Sequence, residues 1–105
     1  MEKAAAKSDE GELFVRLGNV YLDGDQFTKA ADSVEKGLKK GGVKRPDQAR
    51  LVLGMAYFNL GEYDKARSAF RAAGKDERSA KYSQQWITYV TSEEDRQRAL
   101  EKDLF

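Results

Sequence analysis

A stretch of the chain is repeated at an offset of 36 residues, and this repeat limits the possible folds more than any other feature of the sequence. Among the identical pairs that the offset superimposes are Leu17 and Leu53, Gly18 and Gly54, Tyr21 and Tyr57, Lys29 and Lys65, and Ala30 and Ala66. In each copy an apolar residue, Val34 or Phe70, stands four residues after the alanine. Self-similarity at such a period is typical of architectures in which one supersecondary unit stacks on the next.

Turn-forming residues divide the chain into segments of helical length. They stand at 23–25, 41–42, 59–61, 74–76 and 91–92. This punctuation predicts six helices, near 9–23, 26–40, 46–60, 62–73, 77–90 and 93–103. Pro46 suits the first position of a helix, where its missing N–H would have no partner. Short links favour antiparallel neighbours, so the sequence predicts an all-α fold.

Both copies read L-G-x-x-Y, and the second copy continues through a turn glycine, Gly61, and the aromatic Tyr63 to Ala66. This pattern resembles the tetratricopeptide repeat, a unit of two packed antiparallel helices. The resemblance implies a short right-handed superhelix of about six helices. It divides the chain into a preceding helix end or flexible tail (1–8), a first repeat (9–43), a second repeat (44–75) and a degenerate repeat or C-terminal capping hairpin (76–105).

The repeated residues have a simple packing rationale. At ~100° per residue, Phe14, Leu17 and Tyr21 share one face of the first helix. Gly18 and Ala30 offer small surfaces on which two helix backbones can approach closely. We therefore expect the Leu and Tyr face to pack and the opposite face to remain free.

The residues on the opposite faces of the first, third and fifth helices are the candidate binding residues. They are Val15, Arg16, Asn19, Leu22, Leu51, Val52, Met55, Phe58, Gln84, Gln85 and Thr88. In the family, such helices line a concave groove that holds peptides. The competing interpretation is core packing between units, above all for Leu22 and Phe58 near helix ends. Met55 favours the groove because a methionine repacks around varied ligands, and the third helix is the best candidate site.

Several function classes are excluded by what the chain lacks. It has no cysteine and no histidine, so thiolate chemistry, zinc–thiolate sites and the commonest general base are missing, and we expect no enzyme and no cofactor or metal. With 19 basic and 18 acidic residues, and no aromatic residue inside the basic segment 39–45, we expect no nucleic-acid partner. No apolar run approaches the roughly 18 residues that cross a bilayer, so this fragment should not insert into a membrane.

Three functions compete on this basis. The first is a protein–protein interaction scaffold that binds a peptide or a helical segment of a partner in the groove. The second is a structural module that forms a homo-oligomer through the ends of the superhelix, because short repeat arrays have vulnerable ends. The third is a regulatory appendage to a catalytic domain.

Two further segments carry a narrower resemblance. The segments 76–81 and 84–90 look like the C-terminal end of bacterial tetratricopeptide proteins that accompany TonB-type energy-transduction systems, and 2–7 looks like the end of their preceding repeat. This resemblance implies a longer parent protein that lies in or faces the periplasm and supports a membrane-associated complex. The fragment alone leaves the compartment open.

Overall fold

A computed structural model describes residues 2–104 of the chain, with side chains from Glu10 onward. This part contains five α-helices and no strand. The helices are α1 (Glu2–Asp23), α2 (Phe27–Lys40), α3 (Pro46–Asn59), α4 (Tyr63–Ala73) and α5 (Glu77–Leu104). The predicted all-α class is confirmed.

The helices form two antiparallel hairpins followed by a single helix. α1 packs on α2 and α3 packs on α4, while α5 packs on α4. The hairpins stack because α2 contacts α3, and α3 also touches both α1 and α5. The molecule is elongated, with extents of 61 × 28 × 18 Å. The stacked helical repeat is confirmed, and its handedness stays a prediction.

Close contact within each hairpin depends on a glycine of the repeated motif. A Cβ atom built on Gly18 would lie 2.4 Å from Cγ2 of Val34 and 3.3 Å from the carbonyl oxygen of Ala30. Real Cβ atoms do not come so near a neighbour, so only glycine lets α1 approach α2 at this distance. The packing role expected for Gly18 and Ala30 is confirmed.

Both ends of α3 are determined by residue types that are recognisable in the sequence. Pro46 is its first residue, as predicted, and Asp47 lies in its first turn, where an acid is favoured by the helix dipole. At its other end the chain turns through Gly61, whose φ of +76° is readily adopted only by glycine. These two points set the length of α3 and the turn into α4.

The apolar interior consists of two clusters. The first joins the two hairpins and contains Val15, Ala30, Ala31, Val34, Ala49, Leu53, Ala56 and Ala69. The second joins α3 and α4 to α5 and is centred on Ala66, Phe70 and Val90. In the second cluster the ring of Phe70 stacks on Trp86, with centroids 5.2 Å apart and planes inclined by 8°. The many alanines keep the helices close, and Phe70 fills the largest space.

The predicted helix break at Thr91 and Ser92 is wrong. α5 continues through both residues as one helix of 28 residues, so the described part of the chain has five helices where six were expected, and no capping hairpin forms there. Arg67 of α4 donates a hydrogen bond to Thr91 and binds Glu94 at 2.9 Å, which anchors α5 beyond the expected turn. The predicted start near residue 9 is also wrong, because the backbone of residues 2–8 belongs to α1.

Candidate functional site

A groove of about 470 Å³ lies between α1 and α3, on the side where the first helices of the two hairpins meet. α1 contributes its middle turns, and α3 contributes its first three turns together with the segment that precedes it. The lining residues are Glu12, Val15, Arg16, Asn19, Lys44, Arg45, Gln48, Ala49, Leu51, Val52 and Met55.

The groove has an apolar floor and a polar rim. Val15 and Ala49 form the floor and are 7% and 1% exposed. Val52 and Met55 are partly buried against the neighbouring core clusters, so part of each surface remains available. This arrangement suits apolar side chains of a ligand with polar groups beside them.

Charged groups on the rim are held by one another. Glu12 lies 3.6 Å from the Arg16 guanidinium and accepts a hydrogen bond of 3.1 Å from the backbone N–H of Lys44. This bond ties the segment before α3 to α1. The Arg16 side chain is 63% exposed and the lysine is exposed, so both cations can reach a bound partner.

One wall of the groove is stiffened by a buried carboxylate. Asp47 is 2% exposed and accepts two hydrogen bonds from Arg45, at 2.9 and 2.6 Å, and one of 2.7 Å from the Ser79 hydroxyl of α5. The Arg45 guanidinium contributes most to holding the pKa of Asp47 well below its usual range, and the hydroxyl adds to this, although burial acts in the opposite direction. Arg45 is therefore positioned by the fold before any ligand arrives.

Six of the eleven predicted binding residues line this groove: Val15, Arg16, Asn19, Leu51, Val52 and Met55. Val15 is a partial correction, since the residue was expected on a free face and lies almost wholly in the first core cluster. The reason is that α2 and α3 both close on this side of α1: a Cβ atom built on Gly37 of α2 would lie 3.0 Å from Cγ2 of Val15, and Ala49 of α3 belongs to the same cluster. The Asn19 amide donates to the carbonyl of Val15, so its oxygen remains the group that a ligand would meet.

Phe58 and Leu22 lie outside this groove. Phe58 packs into an aromatic group, with ring centroids 5.9 Å from Tyr63, 6.4 Å from Trp86 and 5.3 Å from Tyr89. Leu22 packs against the first core cluster. For both residues near helix ends, the structure favours the core interpretation.

The three predicted residues of α5 are exposed, and they differ in their surroundings. Gln85 lines a second depression of about 450 Å³ together with Trp86 and Tyr89. Gln84 and Thr88 line neither this depression nor the groove. They lie on the outer side of α5, where the Thr88 hydroxyl donates to the carbonyl of Gln84.

Sequence reasoning missed five groove residues: Glu12, Lys44, Arg45, Gln48 and Ala49. Glu12 and Gln48 lie one turn before Arg16 and Val52 on the same helix faces, so the helical period could have found them. Lys44 and Arg45 belong to the basic segment 39–45, and they stand in the link between α2 and α3, where they line the groove. Their position immediately before Pro46 could have indicated this, because residues that directly precede the first turn of α3 must lie close to the groove that this turn lines.

Residues 2–104 contain no cluster of three His, Cys, Asp or Glu that could hold a metal ion. Among the helices of the described part, none combines the length and the apolar character that a bilayer crossing requires.

The comparisons with known proteins agree with this architecture. The profile of the family described as tetratricopeptide repeat matches residues 15–80, which is more than half of the chain. The searches of curated proteins and of solved structures gave no match. The repeated motif, the stacked hairpins and the profile match converge on one conclusion: the chain belongs to the tetratricopeptide repeat family.

Proposed function

We propose that this protein is an interaction scaffold that holds a peptide or a helical segment of a partner protein in the groove between α1 and α3. Tetratricopeptide repeats generally mediate contacts between proteins. The single observation that carries the proposal is the groove itself, an apolar floor beneath a polar rim, lined by six residues that the sequence predicts as a binding face.

The chemistry of the groove defines the partner segment. Met55 and Leu51 present partly buried apolar surface, so the partner supplies an apolar side chain that displaces water from them. Methionine adapts to ligands of different shape, which favours a family of related segments over one rigid ligand. Arg16 and Lys44 outnumber Glu12 on the exposed rim, so an acidic residue beside the apolar anchor fits better than a basic one.

The test begins with peptides selected on the wild-type chain from a random display library. Leu51→Glu combined with Met55→Glu should abolish binding of the selected peptides, because two carboxylates replace the apolar wall. The matched control is Thr28→Glu combined with Ser68→Glu, which adds the same charge at exposed positions of α2 and α4. Affinity is measured by calorimetry, and folding by circular dichroism and thermal melting.

Two outcomes would contradict the proposal. If the Leu51 and Met55 variant keeps its melting temperature and still binds with wild-type affinity, the ligand site is elsewhere. If the variant loses most of its stability, both side chains belong to the core, and chemical-shift mapping of the peptide on the wild-type chain decides the site instead. Shifts confined to residues outside the groove would then remove the assignment.

We further propose a periplasmic setting beside a TonB-type system. The support is the resemblance of the segments 76–81 and 84–90 to the C-terminal end of such bacterial repeat proteins. Fractionation of cells that express the tagged parent protein should recover it from the periplasm, with TonB-system components in crosslinked pull-downs. Recovery only from the cytosol without those components would leave the general scaffold and remove this setting.

A further inference from the structure

α1 exposes an apolar stripe on the side that faces away from the rest of the molecule. Leu13, Leu17 and Val20 are 59%, 40% and 64% exposed. The residues 36 positions later, in the second hairpin, are Ala49, Leu53 and Ala56, and they are 1%, 9% and 0% exposed. The same face is therefore covered in one repeat and open in the other.

In the second hairpin, this face of α3 is covered by α2. Leu38 of α2 packs against the cluster that contains Leu53, and Val34, one turn earlier, belongs to the same cluster while it presses on Gly18 of its own hairpin. Between Val34 and Leu38 in sequence, Glu35 enters a depression that it shares with Tyr57 and Lys65. The covering segment therefore carries two apolar residues four apart in the shared cluster, and a carboxylate beside a tyrosine and a lysine.

The first hairpin carries the same leucine, tyrosine and lysine as the second, in a depression that corresponds to the one Glu35 enters. A depression of about 250 Å³ is lined by Leu17, Tyr21 and Lys29 among others, and these three match Leu53, Tyr57 and Lys65 in the repeat. The Lys29 ammonium lies 5.8 Å from the centre of the Tyr21 ring, as Lys65 lies 5.5 Å from that of Tyr57. Within the described chain, only α1 and α2, the two helices of this hairpin, border the depression.

The end of α5 repeats the sequence of the covering segment. Residues 100–104 read Leu-Glu-Lys-Asp-Leu, and residues 34–38 of α2 read Val-Glu-Lys-Gly-Leu. The last side chain of α5 bound to α4 is Glu94, and beyond it Leu100 and Leu104 are 51% and 78% exposed. Burial of these two exposed leucines would remove apolar surface from water, so this tail gains stability wherever they pack.

We propose that the α5 tail of one copy of this chain packs on the first hairpin of a second copy. Leu104 corresponds to Leu38 and Leu100 to Val34 in the covering segment, and the two leucines cover Leu17 and its neighbours in the stripe. Glu101 enters the depression of the second copy beside the phenol and the ammonium described above. The tail cannot reach this face within its own chain, since α1 and α5 lie at different ends of the stack and make no contact in the described residues.

This contact joins two different surfaces, which distinguishes it from other modes of self-association. A heterologous contact either closes into a ring, here two copies that exchange tails, or runs on as a chain. Simple end-to-end stacking of hairpins is disfavoured because the outer side of α5 presents exposed polar residues such as Gln84 and Thr88. Packing of two α1 stripes on each other would leave both tails uncovered.

The test is the mass of the full chain measured by sedimentation from dilute solution up to millimolar protein, because an interface this small is expected to be weak. The wild-type chain should associate. Leu100→Lys with Leu104→Lys removes the tail contact, and Leu13→Lys with Leu17→Lys removes the receiving stripe, so each double variant should stay monomeric. Gln84→Lys with Thr88→Lys adds the same charge on the outer side of the same helix and should associate like the wild type.

Mixing the two monomeric variants provides the sharper test. Each retains the surface that the other lacks, so the mixture should form a complex with one intact contact. In a separate experiment, Glu101→Gln should weaken wild-type association by about tenfold or less, as expected for loss of one charge-assisted hydrogen bond. A wild-type chain that is monomeric at every concentration would overturn the proposal. Association that survives the tail variant would overturn it too, and this result does not depend on the stripe variant because the tail variant alters only exposed residues. A mixture of two folded variants that stays monomeric would also overturn it.

Discussion

Gly54 lies against the ring of Phe70: a Cβ atom built on the glycine would stand 2.6 Å from Cε1 of the phenylalanine. In the first hairpin the same relationship joins Gly18 to Val34. The glycine of the repeated motif and the apolar residue after its alanine are therefore one packing unit. The absence of a side chain on the glycine leaves room for the apolar residue, and the contact between the two residues sets how closely the two helices of a hairpin approach.

Replacing Gly54 with leucine should lower the free energy of unfolding by about 1–3 kcal/mol or more, because the added side chain overlaps the Phe70 ring. Gly54→Ala should be milder, since better helix propensity of up to about 1 kcal/mol offsets part of the clash. The control is Gly24→Ala, whose Cβ would meet no atom closer than 3.6 Å. Urea unfolding measures all three, and wild-type stability for Gly54→Leu would refute the close approach.

The parts of the fold that the sequence predicted are those that depend on contacts within one repeat. Gly18, Gly54 and Pro46 each carry their function in residue type and spacing, so the hairpins and the family were readable. The third helix, which the sequence predicts as the best candidate site, lines the groove through Leu51 and Met55. Local geometry on one helix was sufficient for these inferences.

The errors concern contacts between helices, which the faces of one helix do not show. Val15 borders Gly37 of α2 and shares a core cluster with Ala49 of α3, although the face of α1 on which it lies was expected to be free. Thr91 and Ser92 have modest helix propensity, yet the ion pair of Arg67 with Glu94, 27 positions apart in sequence, holds them in α5. No periodicity within α5 reports a residue on α4, so the continuous helix was not predictable from its own segment.

Asp47→Ala should cost about 2–4 kcal/mol of folding stability at neutral pH, since the Arg45 guanidinium and the buried Ser79 hydroxyl would both lose their acceptor. Asp47→Asn should cost less because its amide oxygen can still accept from the hydroxyl. Asp32→Asn, on the exposed side of α2, is the control and should change stability little. Denaturant unfolding gives the comparison, and equal stability of all three variants would show that the network is not stabilising.

The same carboxylate makes stability depend on pH. Because the pKa of Asp47 is lower in the folded chain than in the unfolded chain, its contribution is complete at neutral pH. As pH falls below about 4, the usual range of an aspartate, the unfolded chain takes up the proton first and that contribution is progressively lost. In a series of unfolding curves, the wild type should therefore lose more stability than Asp47→Asn between about pH 6 and about pH 3. Parallel pH profiles for the two proteins would contradict the assignment.

Tyr57 should titrate late. Burial, and after it the neighbouring Glu35 carboxylate, raise the pKa of the phenol to about 12. Because the pKa of Tyr57 is higher in the folded chain than in the unfolded chain, the neutral phenol contributes to folding stability below the unfolded value, near 10. That contribution is lost as pH rises from there towards 12. NMR of tyrosine labelled at the ring carbon that bears oxygen follows each phenol separately. Glu35→Gln should lower the pKa of Tyr57, whereas Glu93→Gln should leave it unchanged, and an unaltered value in Glu35→Gln would exclude the contact.

The two halves of α5 should differ in amide hydrogen exchange at low protein concentration. Ser79, Ser83 and Val90 are buried, so amides in this half open only with the surrounding core and should exchange slowly. Beyond Glu94 every residue up to Leu104 is exposed, and those amides should exchange quickly. Glu94→Gln should move the boundary towards the N-terminus by about one turn, because the Arg67 ion pair is the last link between α5 and α4. Glu101→Gln, which removes a carboxylate from the free part of the same helix, should leave the boundary in place in dilute solution. Uniform protection along all of α5 in the dilute monomer would show that the far half is stable without a partner.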